Sequence, residues 1–82
     1  AIQSEKINIL MTKSGKVLVN KNGINFNNFA DTFVLFTKNK NRDTPVHIRA
    51  DKNLKYDNII FILKTIKETG FLKVALITDG WQ

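Results

Sequence analysis

One stretch of the sequence, residues 45–78, constrains the fold more than any other. Its first part, residues 46–50, alternates apolar and polar side chains, and a helical repeat of apolar residues follows from 56 to 69. Gly70 ends that repeat, and a second apolar run follows at 74–77. Strand, helix and strand in this order predict a βαβ unit, in which the two strands lie parallel and the connection is right-handed.

A β-hairpin is predicted before this unit. Residues 7–11 alternate as a strand and residues 17–19 as a second strand, and Gly15 in the turn between them suits a positive φ. A second turn, rich in Asn and Gly, is predicted at 20–23. Residues 24–26 then form a short extended piece.

A phenylalanine repeat predicts the first helix. Phe29, Phe33 and Phe36 recur at helical spacing, and Ala30 and Val34 widen the apolar stripe. Either Asn27 or Asn28 is expected to cap this helix, because an asparagine side chain accepts an unpaired N–H of the first turn.

The second helix has a broader apolar face, made by Ile59, Ile60, Ile62, Leu63 and Ile66. Phe61 is expected in the core together with the phenylalanines of the first helix. The N-cap of the second helix is expected to be either Asn53 or Asp57. Gly70 occupies the position of a left-handed residue after the last turn, and Phe71 can fold back as in a Schellman motif.

The predicted order is therefore β-β-α-β-α-β, an α+β two-layer sandwich with both helices on one face of a mixed sheet. We expect a flexible N-terminal segment at 1–5 and one domain at 6–82. A chain of 82 residues buries only about 60% of its unfolded surface, so an enclosed enzyme site is hard to build.

The last strand is apolar on both faces, which predicts an uncovered surface. If Val46, Ile48 and Ala50 face the helices, His47 and Arg49 face outward. Either Val74 and Leu76 or Ala75 and Ile77 then lie on the open face, joined by Leu10 and Leu18. Such a face indicates self-association or a partner; the alternative is a central strand that is merely hydrophobic. The candidate contact residues are His47, Arg49, Val74, Ala75 and Ile77.

Charge suggests a polyanionic partner only in general terms. The net charge is +6 and the pI is near 9.9, but the lysines are scattered and their one cluster, residues 38–42, reads as a loop. A solvated basic surface is favoured over a nucleic-acid face. The sequence contains no run of ~20 apolar residues and no signal peptide. Because it starts at Ala1, we expect it to be part of a longer protein.

No catalytic, cofactor-binding or metal-binding residue is predicted. His47 is the only histidine, and a zinc site needs at least three protein ligands. Residues 14–16 resemble a phosphate loop, but the further glycines and the following helix are missing. The lack of cysteine removes disulfides and thiolate metal sites.

Two carboxylates, Asp51 and Asp79, could bind a metal or do acid–base work. Asp51 and Asp79 follow strands that are expected to be parallel neighbours, and ligands bind at this end of open α/β sheets. The favoured alternative is that Asp51 accepts backbone N–H groups in the turn before the second helix.

Residues 48–52, Tyr56 and residues 69–77 together resemble the C-terminal signature of the ExbD/TolR family. The family carries an Arg-Ala-Asp-Lys turn, then a tyrosine, an amphipathic helix and a Gly-aromatic-Leu-Lys step into the last strand. Here these elements are Arg49 to Lys52, Tyr56 and Gly70 to Lys73. We interpret Arg49, Asp51, Tyr56 and Gly70 as structural signature residues. Residues 71–73 are more similar to the ExbD branch than to the TolR branch.

The resemblance implies a non-catalytic periplasmic domain, anchored in the inner membrane by one N-terminal helix, in an ion-motive-force-driven complex that serves transport across the outer membrane. It implies a homodimer, an ExbB-like channel subunit reached through the membrane helix, and a TonB-like transducer. The family's ion-carrying aspartate belongs to that helix, so Asp51 is not given its role. The alternative is a TolR-like domain that binds peptidoglycan, and the third reading is a small basic nucleic-acid-binding domain, which no groove-reading motif supports.

Overall fold

A computed structural model describes residues 6–79, and for Thr78 and Asp79 only the backbone. The N-terminal segment predicted at 1–5 lies outside the described residues. The elements follow the order β1 (Ile7–Met11), β2 (Lys16–Val19), β3 (Asn22–Asn25), α1 (Phe29–Phe36), β4 (Val46–Asp51), α2 (Tyr56–Glu68) and β5 (Val74–Asp79). A single turn of 3-10 helix, Phe26–Asn28, leads into α1.

The strands form one mixed sheet in the order β3-β2-β1-β4-β5. β1 is antiparallel to β2 and parallel to β4, and β4 is parallel to β5. The predicted βαβ unit and the α+β class are therefore confirmed. β5 lies at the edge of the sheet, so the alternative of a central last strand is wrong.

The extended piece predicted at 24–26 is a full strand, β3, that starts earlier. The turn before it is only two residues long, because Asn20 and Lys21 both have positive φ, 48° and 78°. Two such residues match the right-handed twist of a hairpin. The Asn20 side chain accepts the Asn8 N–H at 2.8 Å, which fixes the turn to β1. Gly23, predicted in the turn, lies within β3.

One core separates the sheet from the two helices. Val46, Ile48 and Ala50 on β4 are buried, as are alternate residues of β1 and β2. The helix layer contributes Phe29, Phe33, Ile59, Ile62, Ile66 and, after α2, Phe71. Phe29 stacks on Phe33 with ring centroids 5.2 Å apart. Both helices thus cover the same face of the sheet.

Three residues that the sequence predicts in the apolar stripes or in the core are exposed. Val34 is 52% exposed, Ile60 39% and Phe61 41%. Each lies at the margin of its helix's buried face, which is narrower than the apolar pattern. Phe61 instead packs against Phe26, at a centroid distance of 5.2 Å.

The capping predictions fail in their details. Asn28 occupies the N-cap position of α1, but its side chain makes no capping hydrogen bond, because the preceding 3-10 turn already directs the chain into the helix. Lys55 is the N-cap residue of α2. Asp57 lies in the first turn of α2, and the Asn53 N–H is bonded to Asp51.

The C-terminus of α2 has the predicted Schellman motif. Gly70 has a φ of +107°, its N–H donates to the Lys67 carbonyl at 2.9 Å, and the Phe71 N–H donates to the Ile66 carbonyl at 3.3 Å. Phe71 and Ile66 are both fully buried, which supplies the apolar contact that accompanies this motif.

Arg42, which the sequence indicates only as part of the basic loop 38–42, joins the two helix C-termini. Its Nη1 donates to the carbonyls of Thr37 and Lys40, each at 3.0 Å. Its guanidinium lies 4.8 Å from the centroid of the Phe71 ring, in cation–π geometry. The loop after α1 is thereby attached to the segment that enters β5.

Candidate functional site

The sheet face that the helices leave uncovered carries a line of mainly apolar side chains. Strand registers align one residue from each of β2, β1, β4 and β5: Leu18, Leu10, Arg49 and Ile77. We call these four residues the open-face row. Leu10 is 39% exposed and Ile77 51%. Arg49 need not interrupt the row, because the stem of an arginine packs as an apolar group while its charge reaches water.

Polar and cationic side chains border the open-face row. Asn8 and His47 are register partners on β1 and β4, one pleat before Leu10 and Arg49. Together with Lys6 and Lys21 they line a shallow groove of about 950 Å³ over the row. No carboxylate is present among the described residues that line this groove. The open face is thus apolar along the row except at Arg49, and polar or cationic beside it.

The structure brings four of the five candidate contact residues together. His47 and Arg49 on β4 are register partners of Ala75 and Ile77 on β5, so all four share the open face. Val74 lies on the opposite face, beside Val46, where it is half-buried against the core. The prediction that one apolar pair of the last strand lies on the open face is confirmed for Ala75 and Ile77.

β5 also presents an edge that no other described strand covers. The Val46 N–H donates to the Lys73 carbonyl at 2.8 Å. Because the backbone direction alternates along a strand, Ala75 and Ile77 direct their backbone groups toward β4. Val74 and Leu76 therefore direct theirs away from the sheet, where another strand can pair with them.

The opposite edge of the sheet is less suitable for pairing. β3 has only four residues, Asn22–Asn25, three of which are exposed. Its one apolar side chain, Ile24, packs against the core. Short polar edges of this kind resist pairing with another chain, whereas β5 has six residues.

Asp51 has a local structural role. Its Oδ1 accepts the Asn53 N–H at 2.8 Å, and its carbonyl accepts the Leu54 N–H at 3.1 Å. These bonds close the turn that leads into α2, as the favoured interpretation predicts. Asp79 is its register partner on β5. Tyr56, the first residue of α2, is 73% exposed, so packing does not explain its place in the signature.

Two kinds of site are not found in the described part of the chain. No group of three or more His, Cys, Asp or Glu side chains among residues 6–77 is arranged to hold a metal ion. Neither α1 nor α2 is long and apolar enough to cross a membrane.

Comparison with known proteins identifies relatives along nearly the whole chain. The family model described as "Biopolymer transport protein ExbD/TolR" matches residues 1–80. Proteins named ExbD-like 1 from two strains of Helicobacter pylori are each 51% identical over 79 residues, which are 96% of this chain and 59% of the relative. The biopolymer transport protein ExbD of Aquifex aeolicus is 33% identical over 73 residues, which are 89% of this chain and 52% of the relative.

The chain spans between 52% and 59% of the length of these relatives. All of the signature residues, from Arg49 to Gly70, lie within the range that the family model matches. The relatives carry the ExbD name, in agreement with the interpretation of residues 71–73. The chain belongs to the ExbD/TolR family of biopolymer transport proteins.

Proposed function

We propose that this chain is the periplasmic domain of an inner-membrane complex of the ExbB-ExbD-TonB type, which uses an ion-motive force to drive transport across the outer membrane. In this role the domain is non-catalytic and acts through contacts alone. It forms a homodimer and binds a TonB-like transducer, while an N-terminal membrane helix connects it to an ExbB-like channel subunit. The observation that carries the proposal is an uncovered sheet face next to an edge strand that no other described strand pairs with, in a chain of this family.

Dimerisation is assigned to the open face. The open-face row exposes Leu10 and Ile77, and exposed aliphatic side chains on a sheet are stabilised when a second surface removes them from water. The groove over the row is wide and shallow, which suits a flat partner surface better than a small molecule.

Transducer binding is assigned to the edge of β5. An extended segment can add to an unpaired strand by main-chain hydrogen bonds, which provide affinity without requiring a deep pocket. Val74 and Leu76 supply the outward backbone groups for such pairing. Since edge and open face share β5, a transducer segment and the second protomer can both contact this strand.

Sedimentation equilibrium at high protein concentration tests the dimer. The unchanged chain is expected to associate reversibly, and Leu10→Asp is expected to abolish association because it places a carboxylate in the open-face row. Leu35→Asp is the matched control, since Leu35 is 73% exposed on α1, on the other side of the molecule. A strictly monomeric unchanged chain contradicts this half of the proposal.

Chemical-shift mapping with the periplasmic segment of a TonB-like transducer tests the edge. The amides of residues 74–77 are expected to shift, and those of β3 to stay in place. A spectrum in which β5 is unperturbed at saturating transducer removes the edge assignment.

A second candidate function is peptidoglycan binding, as in the TolR branch. It is favoured by one specific observation: Lys6, Lys21, His47 and Arg49 meet Asn8 in one groove without a lining carboxylate among the described residues. Lysine, arginine, imidazole and amide groups of this kind suit a polymer of sugars and acidic peptides. Retention of the chain on purified peptidoglycan, and its loss in Lys6→Glu/Lys21→Glu, discriminates this function from the first.

A further inference from the structure

The helix side of β5 contains a second depression that the proposed contacts do not use. Apolar side chains from α2 and β5 line it, with lysines and one glutamate at its rim: Ile60, Leu63, Val74, Leu76, Lys64, Lys67 and Glu68. We call this depression, of about 650 Å³, the α2–β5 slot. It exists because α2 does not extend over the edge strand, so Leu76 stays 42% exposed and Ile60 39%.

The slot lies where the side chains of an added strand would be placed. Val74 and Leu76 direct both their backbone groups outward and their side chains toward α2. A residue paired with either of them points its own side chain to the same face of the sheet. Every second side chain of the added strand therefore enters the slot next to Ile60.

From this geometry we propose that β5 selects its partner by side-chain pattern: an extended segment of another chain with apolar residues at alternate positions and carboxylates at its ends. The inference rests on the proposed pairing at the β5 edge and adds which partner sequences that pairing prefers. The apolar residues fill the slot between Ile60 and Leu76. The carboxylates lie near Lys64 and Lys67, which outnumber the one acidic side chain of the rim, Glu68.

Charge argues against a second copy of this chain as the occupant. If two β5 strands paired edge to edge, the two copies of α2 would come side by side with their lysine rims. Like charges brought together in this way are repulsive, and the net charge of +6 adds to the repulsion. An acidic segment has the opposite effect.

Two synthetic peptides of identical composition test the proposal. The first has isoleucine at alternate positions, threonine between and glutamate at both ends; the second has the same residues with the isoleucines grouped together. Binding is measured by fluorescence polarisation, and the site is identified by chemical-shift mapping. The alternating peptide is expected to bind about tenfold more tightly than the grouped peptide, since one buried aliphatic side chain accounts for about this factor.

Variants separate the slot from the edge. Ile60→Ser leaves the β5 backbone unchanged and is expected to weaken the alternating peptide about tenfold, while Lys64→Glu/Lys67→Glu is expected to reverse the preference toward a peptide with lysine ends. Leu35→Ser, outside the slot, is expected to leave the affinities for the alternating peptide and for the peptide with lysine ends unchanged.

Four results overturn the inference. Equal binding of the two peptides, or binding insensitive to Ile60→Ser, removes the selectivity and leaves edge pairing intact. If neither peptide binds while the transducer segment still shifts the β5 amides, the selectivity is likewise removed and edge pairing stays intact. Finally, if Ile60→Ser converts a dimer to a monomer in sedimentation equilibrium, the slot is occupied by a second copy. Loss of transducer binding at β5 in the unchanged chain, by contrast, is a failure of the proposed function itself.

Discussion

Gly70 gives the sharpest prediction for stability. Replacement by alanine keeps a φ of +107° at a residue with a Cβ, and left-handed geometry costs roughly 1–2 kcal/mol for such a residue. The new Cβ would also lie 3.2 Å from Cδ of Arg42, which is closer than an ordinary contact. The Arg42 side chain is flexible and can yield by a few tenths of an ångström. We therefore expect a loss of about 1–2 kcal/mol in the free energy of unfolding.

Thermal and urea unfolding of three glycine variants separate the two contributions. Gly15→Ala introduces strain alone, because Gly15 has a φ of +91° but no atom within 4 Å of the new Cβ. Gly23→Ala introduces neither strain nor contact and is expected to stay within about 0.5 kcal/mol. For Gly70→Ala the melting temperature is expected to fall by roughly 4–16 °C.

Arg42→Ala provides the cross-check. In the Arg42→Ala background, Gly70→Ala retains the backbone strain but no longer meets the Arg42 side chain. Its loss in the free energy of unfolding should therefore approach that of Gly15→Ala. A Gly70→Ala variant with an unchanged melting temperature would refute the assignment of Gly70 to the Schellman motif. A cost that is identical with and without the Arg42 side chain refutes only the contact.

Three further predictions concern the turns and the core. Lys21→Gly is expected to raise the free energy of unfolding by up to about 1 kcal/mol, because it relieves a φ of 78° and creates the favoured Asn-Gly turn; a lower melting temperature contradicts this. Asp51→Ala is expected to lower the free energy of unfolding by about 1 kcal/mol, because it removes the acceptor of the Asn53 N–H. Asp51→Asn keeps an acceptor oxygen and should lower it by less in the same urea titration. Phe33→Ala, at a fully buried position, is expected to cost about 3–5 kcal/mol, and Leu35→Ala at an exposed one no more than about 0.5 kcal/mol; similar losses for the two would refute the assigned helix faces.

Much of the fold follows from local patterns in the sequence. Alternation at Val46–Ala50, the helical repeat of α2 and the stop at Gly70 each act over a few residues, so they predict the βαβ unit without knowledge of the rest of the chain. The apolar pattern on both faces of β5 was likewise informative, because a strand of this kind must expose one of its pairs.

Other features depend on contacts that the sequence does not reveal. Whether Ile60 is buried is decided by how far the sheet extends beneath α2, and the sheet ends at β5. Phe61 packs instead against Phe26, in the turn before α1. The short turn at Asn20 depends on a side-chain hydrogen bond to Asn8, twelve residues earlier. Arg42 makes its contacts with Phe71 across the fold, and nothing near it in the sequence indicates them.

The candidate site was predicted only in part, because it too depends on contacts that the sequence does not reveal. The apolar and polar alternation at 46–50 predicts His47 and Arg49 on the open face. The register of β5 in the structure adds Ala75 and Ile77. Strand order could not be read from the pattern, so the edge position of β5 and the slot beneath it were not foreseen. The inclusion of Val74 among the contact residues reflected this gap, because the sequence left open which pair of the last strand faces the helices.

The central claim, that β5 is a free edge used for binding, is tested most directly by amide hydrogen exchange on residues 74–77 with and without the periplasmic segment of a TonB-like transducer. Without it, the outward N–H groups of Val74 and Leu76 are expected to exchange rapidly, while those of Ala75 and Ile77, directed toward β4, are protected. Addition of the transducer segment should protect Val74 and Leu76 and leave the other two unchanged. Rapid exchange at Val74 and Leu76 in the saturated complex would contradict the claim.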